Sequence, residues 1–399
     1  MSLEKKDIKK KLISKSIGVI AIQFGNAILG ILLSIVLARY LGAYSYGHYA
    51  YIFALISVIS IPTQLGLPNL LVRYISQYHS EKDFSKIRGI ISWTNLVVFF
   101  LSLIIIIITY VIIHFNKSMV NERSEAFKWG ILLVPFFSLS ALRGASLRGL
   151  RFVVLGKLPE MIIKPVIFIL FIIIFFKFFE NDFISKHAMI LHVLAALITF
   201  MIGSIILLKN TPKIVYKKKA EYEIKKWITV ALPFLLTGGV LVINNRIAIL
   251  MLGWMASPKE VGIYEIAVKG SSLVAFSLLA VNAMLAPYYS KYYTENKNTL
   301  LQSISRWGVV VSLVVSIPLA LVLIFFGRQI LLNFYGVEYL AGYKSLVLLV
   351  LGQLINVSAG SVGLLLNMTK YEKLVLKGIA VSTVINIALN IFFIPKFGI

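Results

Sequence analysis

The chain has 399 residues, of which 59% are hydrophobic and only 14% charged, and its mean hydropathy is +0.89. Soluble domains carry roughly 25% charged residues, so this much apolar surface excludes a water-soluble protein and makes lipid the solvent. The 40 Lys and Arg against 16 Asp and Glu give a net charge of +24; the cations sit in short loops between apolar runs, where they set topology rather than bind nucleic acid. Cysteine is absent, which excludes disulfides and cysteine-based metal sites or nucleophiles.

A window of about 19 residues predicts membrane-spanning helices at 17–38, 47–67, 89–114, 129–147, 158–179, 188–208, 228–253, 261–286, 307–327, 344–367 and 374–394. Each approaches the roughly 20 residues a helix needs to cross about 30 Å of hydrocarbon. The first run is long enough to span and lacks a small-residue cleavage site, so it reads as a helix and not a cleaved signal peptide. All five tryptophans (Trp93, Trp129, Trp227, Trp254 and Trp307) lie near span ends, as an interfacial belt expects. With the N-terminus placed inside, 27 of the 40 Lys and Arg fall in cytoplasmic segments and ten in outer loops. That asymmetry orients the chain with its N-terminus in the cytoplasm.

The longest polar connection, 209–227, divides the chain into an N-lobe over 1–210, a basic cytoplasmic linker over 211–227 and a C-lobe over 228–399. Leu41-Gly42 corresponds to Leu252-Gly253, Gly47-His48-Tyr49 to Gly262-Ile263-Tyr264, and Gly144, Leu147, Arg151 and Phe152 to Gly363, Leu366, Lys370 and Tyr371. The offsets drift only from 211 to 219. Six helices is an even number, so both halves start on the same side and the repeat is parallel. The sixth helix has no counterpart before Ile399, so a complete repeat would need a twelfth helix beyond the eleven present.

Enzyme chemistry finds no support. There is no phosphate loop of the G-x-x-x-x-G-K-[ST] type and no H-E-x-x-H, and the three aspartates, Asp7, Asp83 and Asp182, are expected in loops. His192 lies well within a span, where a single histidine reads as packed or hydrogen-bonded. No metal or cofactor is expected.

The informative residues are polar groups inside spans. A cation at mid-bilayer costs roughly 2.5–3.5 kcal/mol on insertion scales, so it faces a cavity or a partner. Arg246 lies about 10 Å, and Lys269 about 12 Å, inside the outer ends of adjacent helices at 1.5 Å per residue. Either Lys269 pairs with Glu265 and Arg246 snorkels outward, or both line a wet cationic cavity. Lys164, about five residues from the inner end of its helix, either snorkels to the cytoplasm or joins such a cavity. Gln23 and Asn26 form a polar stripe with Gly30; Asn244 and Asn245 flank Arg246; Asn386 and Asn390 fall at i and i+4. Each set serves helix packing or a hydrated path. Arg143, in the basic run RGASLRGLRF (143–152), is an orientation signal or a receiver of phosphate headgroups at the inner leaflet.

Several segments resemble a known family: ARYLGAYSYGHYAYIFALIS (38–57), PTQLGLPNLLVRY (62–74), LRGASLRGLRF (142–152), PFLLTGGVLVINNRIAILMLGWMASPKEVGIYEIAVK (233–269), LLLNMTKYEK (364–373) and INIALNIFFIPKFGI (385–399). Together they are similar to the Wzx-like O-antigen and exopolysaccharide flippases of the MOP superfamily, which also contains lipid II flippases and MATE drug exporters. The resemblance implies an all-α polytopic membrane protein with two six-helix lobes around a central cavity. It implies transport of undecaprenyl-diphosphate-linked oligosaccharides across a bacterial inner membrane by alternating access, with membrane lipids and polysaccharide polymerase machinery as partners. On that reading Arg246 and Lys269 offset the desolvated phosphates, while Lys164 and Arg143 receive the headgroup at the inner side. The alternatives are a MATE-like drug or cation antiporter, which favours cavity carboxylates where this chain offers only Glu265 and Glu160, and a membrane scaffold without transport.

Overall fold

The computed structural model describes residues 2–115, 122–178, 183–369 and 371–398, with side chains from Gly18 onward except Phe397. Lys117, Asp182, Lys370 and part of the outer loop around 115–128 lie outside the described residues. Helices occupy nearly all of the described chain, and no strand occurs among the described residues. In order they are α1 (Ser2–Gln64), α2 (Leu67–Glu81), α3 (Phe84–Phe115), α4 (Glu122–Gly130), α5 (Leu133–Gly149), α6 (Val153–Leu158), α7 (Lys164–Phe178) and α8 (Ser185–Asn210). There follow α9 (Lys213–Lys217), α10 (Ile224–Met255), α11 (Pro258–Thr294), α12 (Asn298–Ile330), α13 (Tyr343–Ala359), α14 (Val362–Met368) and α15 (Glu372–Phe397).

Among the described residues, ten helical stretches are long and apolar enough to cross a membrane. The first of these, Gly18–Gln64, has 47 residues, about 70 Å at 1.5 Å per residue and twice the hydrocarbon thickness. It is broken at Gly42, whose φ of 68° and ψ of 170° are not helical. Counting its two halves separately gives the eleven spans predicted from hydropathy. Only glycine takes that left-handed φ without strain, and the freed amide of Ala43 donates to Glu338 Oε2 at 2.9 Å. A carboxylate there serves the exposed N–H end of the new helix.

By packing, the chain divides into two compact units. The first comprises Met1–Ile20, Ser34–Gly47 and Ile247–Ile399; the second comprises Ala21–Leu33 and His48–Arg246. Within the first unit, Gly47 and Gly262, matched by the repeat, meet each other's helices reciprocally. A Cβ on Gly47 would lie 1.7 Å from the Pro258 carbonyl oxygen, and one on Gly262 would lie 2.3 Å from that of Ala43. Ala43 and Pro258 are separated by the same 215 residues as the two glycines. Such exchanged contacts are what a two-fold relation between equivalent segments produces. Backbone touching backbone at this distance leaves glycine as the residue that fits.

The inner core of the second unit assembles around α2, whose Leu67, Leu70, Leu71, Tyr74, Ile75 and Tyr78 are buried. Ile87, Ile90 and Val98 of α3, Leu142 and Ala145 of α5, and Val215, Trp227 and Ala231 complete it. The opposite fate meets Leu96, Phe99, Leu103, Ile107 and Val111 of α3, which are exposed in the manner of a lipid-facing stripe.

The segment from 211 to 227 does not hang free. Arg88 Nη1 donates to the carbonyls of Tyr216 and Lys218 at 2.7 and 2.6 Å. Glu221 N donates to Ser85 O at 3.2 Å, and Glu221 O sits where Gly89 would carry a side chain. Tyr78 Oη donates to Glu223 Oε2 at 2.6 Å, Trp227 Nε1 donates to the Tyr78 oxygen at 3.1 Å, and Lys86 approaches Glu223 at 3.3 Å. Trp227 therefore departs from the interfacial role expected of it: it is completely buried against Trp93, whereas Trp129, Trp254 and Trp307 are exposed. The reason is that α2 and the linker cover it and supply its N–H with an acceptor.

Candidate functional site: cations on an aromatic core

Within the second unit, four helices contribute to one cluster of rings. His192 of α8 stacks on Phe168 of α7 at 4.7 Å between centroids and on Phe53 of α1 at 5.5 Å. Phe137 of α5 meets Phe53 edge-on at 5.7 Å. The His192 Nδ1 lies 3.0 Å from the Tyr49 hydroxyl, so this histidine, well within its span, is packed and hydrogen-bonded, as its sequence context indicates.

Two of the expected cations sit on this core. The Arg246 guanidinium carbon is 5.3 Å from the Phe53 centroid, and Lys164 Nζ is 4.8 Å from that of Phe137. Both distances lie within cation–π range. The Lys164 ammonium lies 2.8 Å from Glu160 Oε2. The other Glu160 oxygen accepts from Arg143 Nη2 at 3.2 Å. Arg143 is only 4% exposed and also donates to the Phe200 carbonyl at 2.6 Å. One carboxylate is thus shared by two cations, with a third on the adjoining ring, and the cluster carries an excess of positive charge inside the span.

Local sequence explains part of this arrangement. Glu160 and Lys164 are four residues apart, the spacing that pairs side chains along a helix. Pro159–Ile163 forms a π-turn between α6 and α7, the kind of bulge that recurs at functional sites. Gly25 packs directly on it, since a Cβ there would stand 2.9 Å from Ile162 Cδ1. Gln23 and Asn26 therefore flank this turn's packing partner on α1; both are half-buried, and Gln23 Oε1 is buried without a hydrogen-bond partner. Asn244 is half-buried and Asn245 exposed.

Lys269 belongs to the first unit, apart from the set just described. It lies 3.8 Å from Glu265 Oε1 and donates to the Tyr46 hydroxyl at 3.2 Å. Glu265 is 7% exposed and its Oε2 is buried without a partner. Asn390 Nδ2 donates to Asn386 Oδ1 at 2.6 Å. Sequence reasoning missed Phe53, Phe137 and Tyr46 as cation partners, since aromatic residues are plentiful and carry no spacing signal. Among the described residues no group of three or more His, Asp or Glu could hold a metal ion.

This all-helical, cation-bearing bundle has the fold of the MOP-superfamily transporters. It superposes on an inward-facing multidrug resistance MATE family transporter of that superfamily with a TM-score of 0.76 at 13% identity, covering 93% of this chain and 87% of that one. The lipid II flippase MurJ in an inward closed conformation gives 0.74 at 19% identity, covering 95% and 81%. A MOP superfamily transporter from Pyrococcus furiosus, described as having a binding pocket of reverse polarity, gives 0.65 at 12%, covering 96% and 87%. These neighbours are transporters and flippases, not enzymes. By sequence, the family described as Polysaccharide biosynthesis protein matches residues 12–293, and the chain belongs to it. The MatE family also matches residues 233–392. No curated protein matches the chain by sequence.

Proposed function

We propose that the protein flips undecaprenyl-diphosphate-linked oligosaccharide units, of the O-antigen or exopolysaccharide kind, across a bacterial cytoplasmic membrane by alternating access, with its N-terminus inside. The supporting observation is that Arg143 and Lys164 share a single carboxylate, Glu160, while Arg246 and Lys164 lie over rings of one aromatic core. A diphosphate entering hydrocarbon loses its hydration, and fixed cations offset that loss. Lys164 and Arg246 make the direct approach to phosphate; Arg143, being buried, acts by holding Glu160. Gln23, Asn26, Asn244 and Asn245 supply hydrogen bonds to the glycan, and Lys269 serves the C-lobe half of the path. The lobes are 1–210 and 228–399, joined by the linker at 211–227. Membership in a polysaccharide biosynthesis family and likeness to a lipid II flippase support this substrate class.

A second reading, a MATE-like exporter of cationic drugs, draws on the multidrug transporters among the neighbours and on the buried Glu265. The two separate in reconstituted vesicles. At an effective dielectric of about 20 a cation in contact with phosphate contributes a few kcal/mol before hydration is subtracted. Arg246→Ala and Lys164→Ala should then each slow glycolipid flipping about tenfold or more, equivalent to about 1.4 kcal/mol. Arg246→Lys should retain more activity, and Lys218→Ala should have no effect. Wild-type flipping by both alanine variants at equal membrane abundance, or transport of cationic dyes but not glycolipid, overturns the proposal.

A further inference from the structure

Apart from the cation cluster, the second unit holds two adjoining hollows at the corner between α1 and α2. Leu65 and Gly66 both have left-handed φ, 47° and 70°, and Gly66 lies against the backbone of α10, with Ala231 O and Leu235 N each 2.5 Å from where its Cβ would be. On one side of this corner is a chamber of about 220 Å³ with Ser57, Gln64 and Asn69 in its wall. On the other is a cleft of about 380 Å³ whose wall, including Leu67, Trp93, Val97, Ile228 and Leu232, is entirely apolar apart from the Trp93 ring nitrogen. Leu235 borders both. Asn69 lies on the exposed face of α2, and Arg73, four residues on and exposed, continues that face.

We infer that this pair of hollows is a loading site for a polyprenyl diphosphate at the inner leaflet, the diphosphate lying at Arg73 and Asn69 and the first isoprene units in the cleft beneath Trp93. The inference rests on the flippase reading and adds where the lipid is received. An apolar cleft beside a hollow that bears three polar side chains, Ser57, Gln64 and Asn69, fits one occupant with a polar head and an apolar chain. A cleft of this volume next to a single chamber takes one chain, which favours a polyprenyl lipid over a two-chain phospholipid. Its level also suits: α2 and the turn after it carry the exposed cations Arg73 and Lys82, of the kind that attract phosphate at a cytoplasmic surface. The rest of a long prenyl chain stays in the bilayer, so the site holds the lipid by its head-proximal end and permits release.

The test measures binding of undecaprenyl diphosphate and of inorganic pyrophosphate to the purified full chain. Leu232→Trp and Val97→Trp narrow the cleft from two helices and should weaken undecaprenyl diphosphate about tenfold while leaving pyrophosphate within twofold. Arg73→Ala should weaken both probes. Leu96→Trp, on the exposed face of α3 outside the cleft, should change neither. Unaltered binding of undecaprenyl diphosphate in both tryptophan variants overturns the site, as does an equal loss of pyrophosphate in them. Displacement of the probe by an equal concentration of phosphatidylglycerol also overturns it, since the cleft would then take bulk lipid. A wild-type chain that binds no undecaprenyl diphosphate fails earlier and overturns the flippase reading itself.

Discussion

Replacing Glu160 by glutamine separates a structural ion pair from an anion site, because the two roles predict effects of opposite sign. Glu160 lies 3.2 Å from Arg143 and 2.8 Å from Lys164. At an effective dielectric of about 20 these separations correspond to gross attractions of about 5 and about 6 kcal/mol. Glutamine keeps one hydrogen bond, Arg143 keeps the Phe200 carbonyl, and Glu160 is 29% exposed, so most of that gross figure returns as hydration. Removing one partner of a buried pair costs about 3–5 kcal/mol; with these compensations the loss here should be about 2–3 kcal/mol, seen as a lower melting temperature in detergent. The same substitution leaves Arg143 and Lys164 without their shared anion, so pyrophosphate should bind the variant more tightly than the wild type. A ligand at 100 times its Kd stabilises by about 2.7 kcal/mol, enough to restore the lost stability. Thermal unfolding of both proteins with and without pyrophosphate measures this directly. If pyrophosphate raises the melting temperature of Glu160→Gln no more than that of the wild type, the cluster is a structural ion pair and not a phosphate site.

Other consequences follow from packing and titration. Gly47→Ala, whose Cβ would lie 1.7 Å from a backbone oxygen, should lower the melting temperature by several degrees, as overpacking costs typically 1–3 kcal/mol; Gly30→Ala, with nothing within 4 Å of its Cβ, should not. Glu223, just before α10, is held down at about 2 from 4.5 by hydrogen bonds from Tyr78 and Lys226, against some desolvation. A depressed carboxylate stabilises above its unfolded value and loses that contribution as the pH falls from about 4.5 towards 2, so the linker should loosen over that window in hydrogen exchange and Glu223→Gln should remove the pH dependence. A cysteine at Lys259 should react with an impermeant thiol reagent in whole cells while one at Lys218 should not; the reverse pattern refutes the orientation.

The spans were legible in the sequence because crossing a bilayer imposes one simple condition, about 20 apolar residues per helix, and each local run satisfies it independently of its neighbours. The weak Gly47 and Gly262 match was legible for a related reason. Backbone contact between equivalent helices admits no side chain, so the glycine survives in both halves. The i, i+4 spacing of Glu160 and Lys164, and of Glu265 and Lys269, likewise lies in one helix and needs no fold to be seen. What the sequence could not decide was everything that depends on which helices meet. Trp227 reads as an interfacial tryptophan until α2 and the linker are found to enclose it. Arg143 reads as a cytoplasmic basic residue until the π-turn before α7 brings Glu160 to it and α8 the Phe200 carbonyl. The rings under Arg246 and Lys164 come from α1 and α5, far away along the chain, and nothing in an apolar helix marks one phenylalanine among 26 as the one that will face a cation. Hydropathy is a property of single segments, whereas the site is a property of contacts between them, and only tertiary packing fixes those.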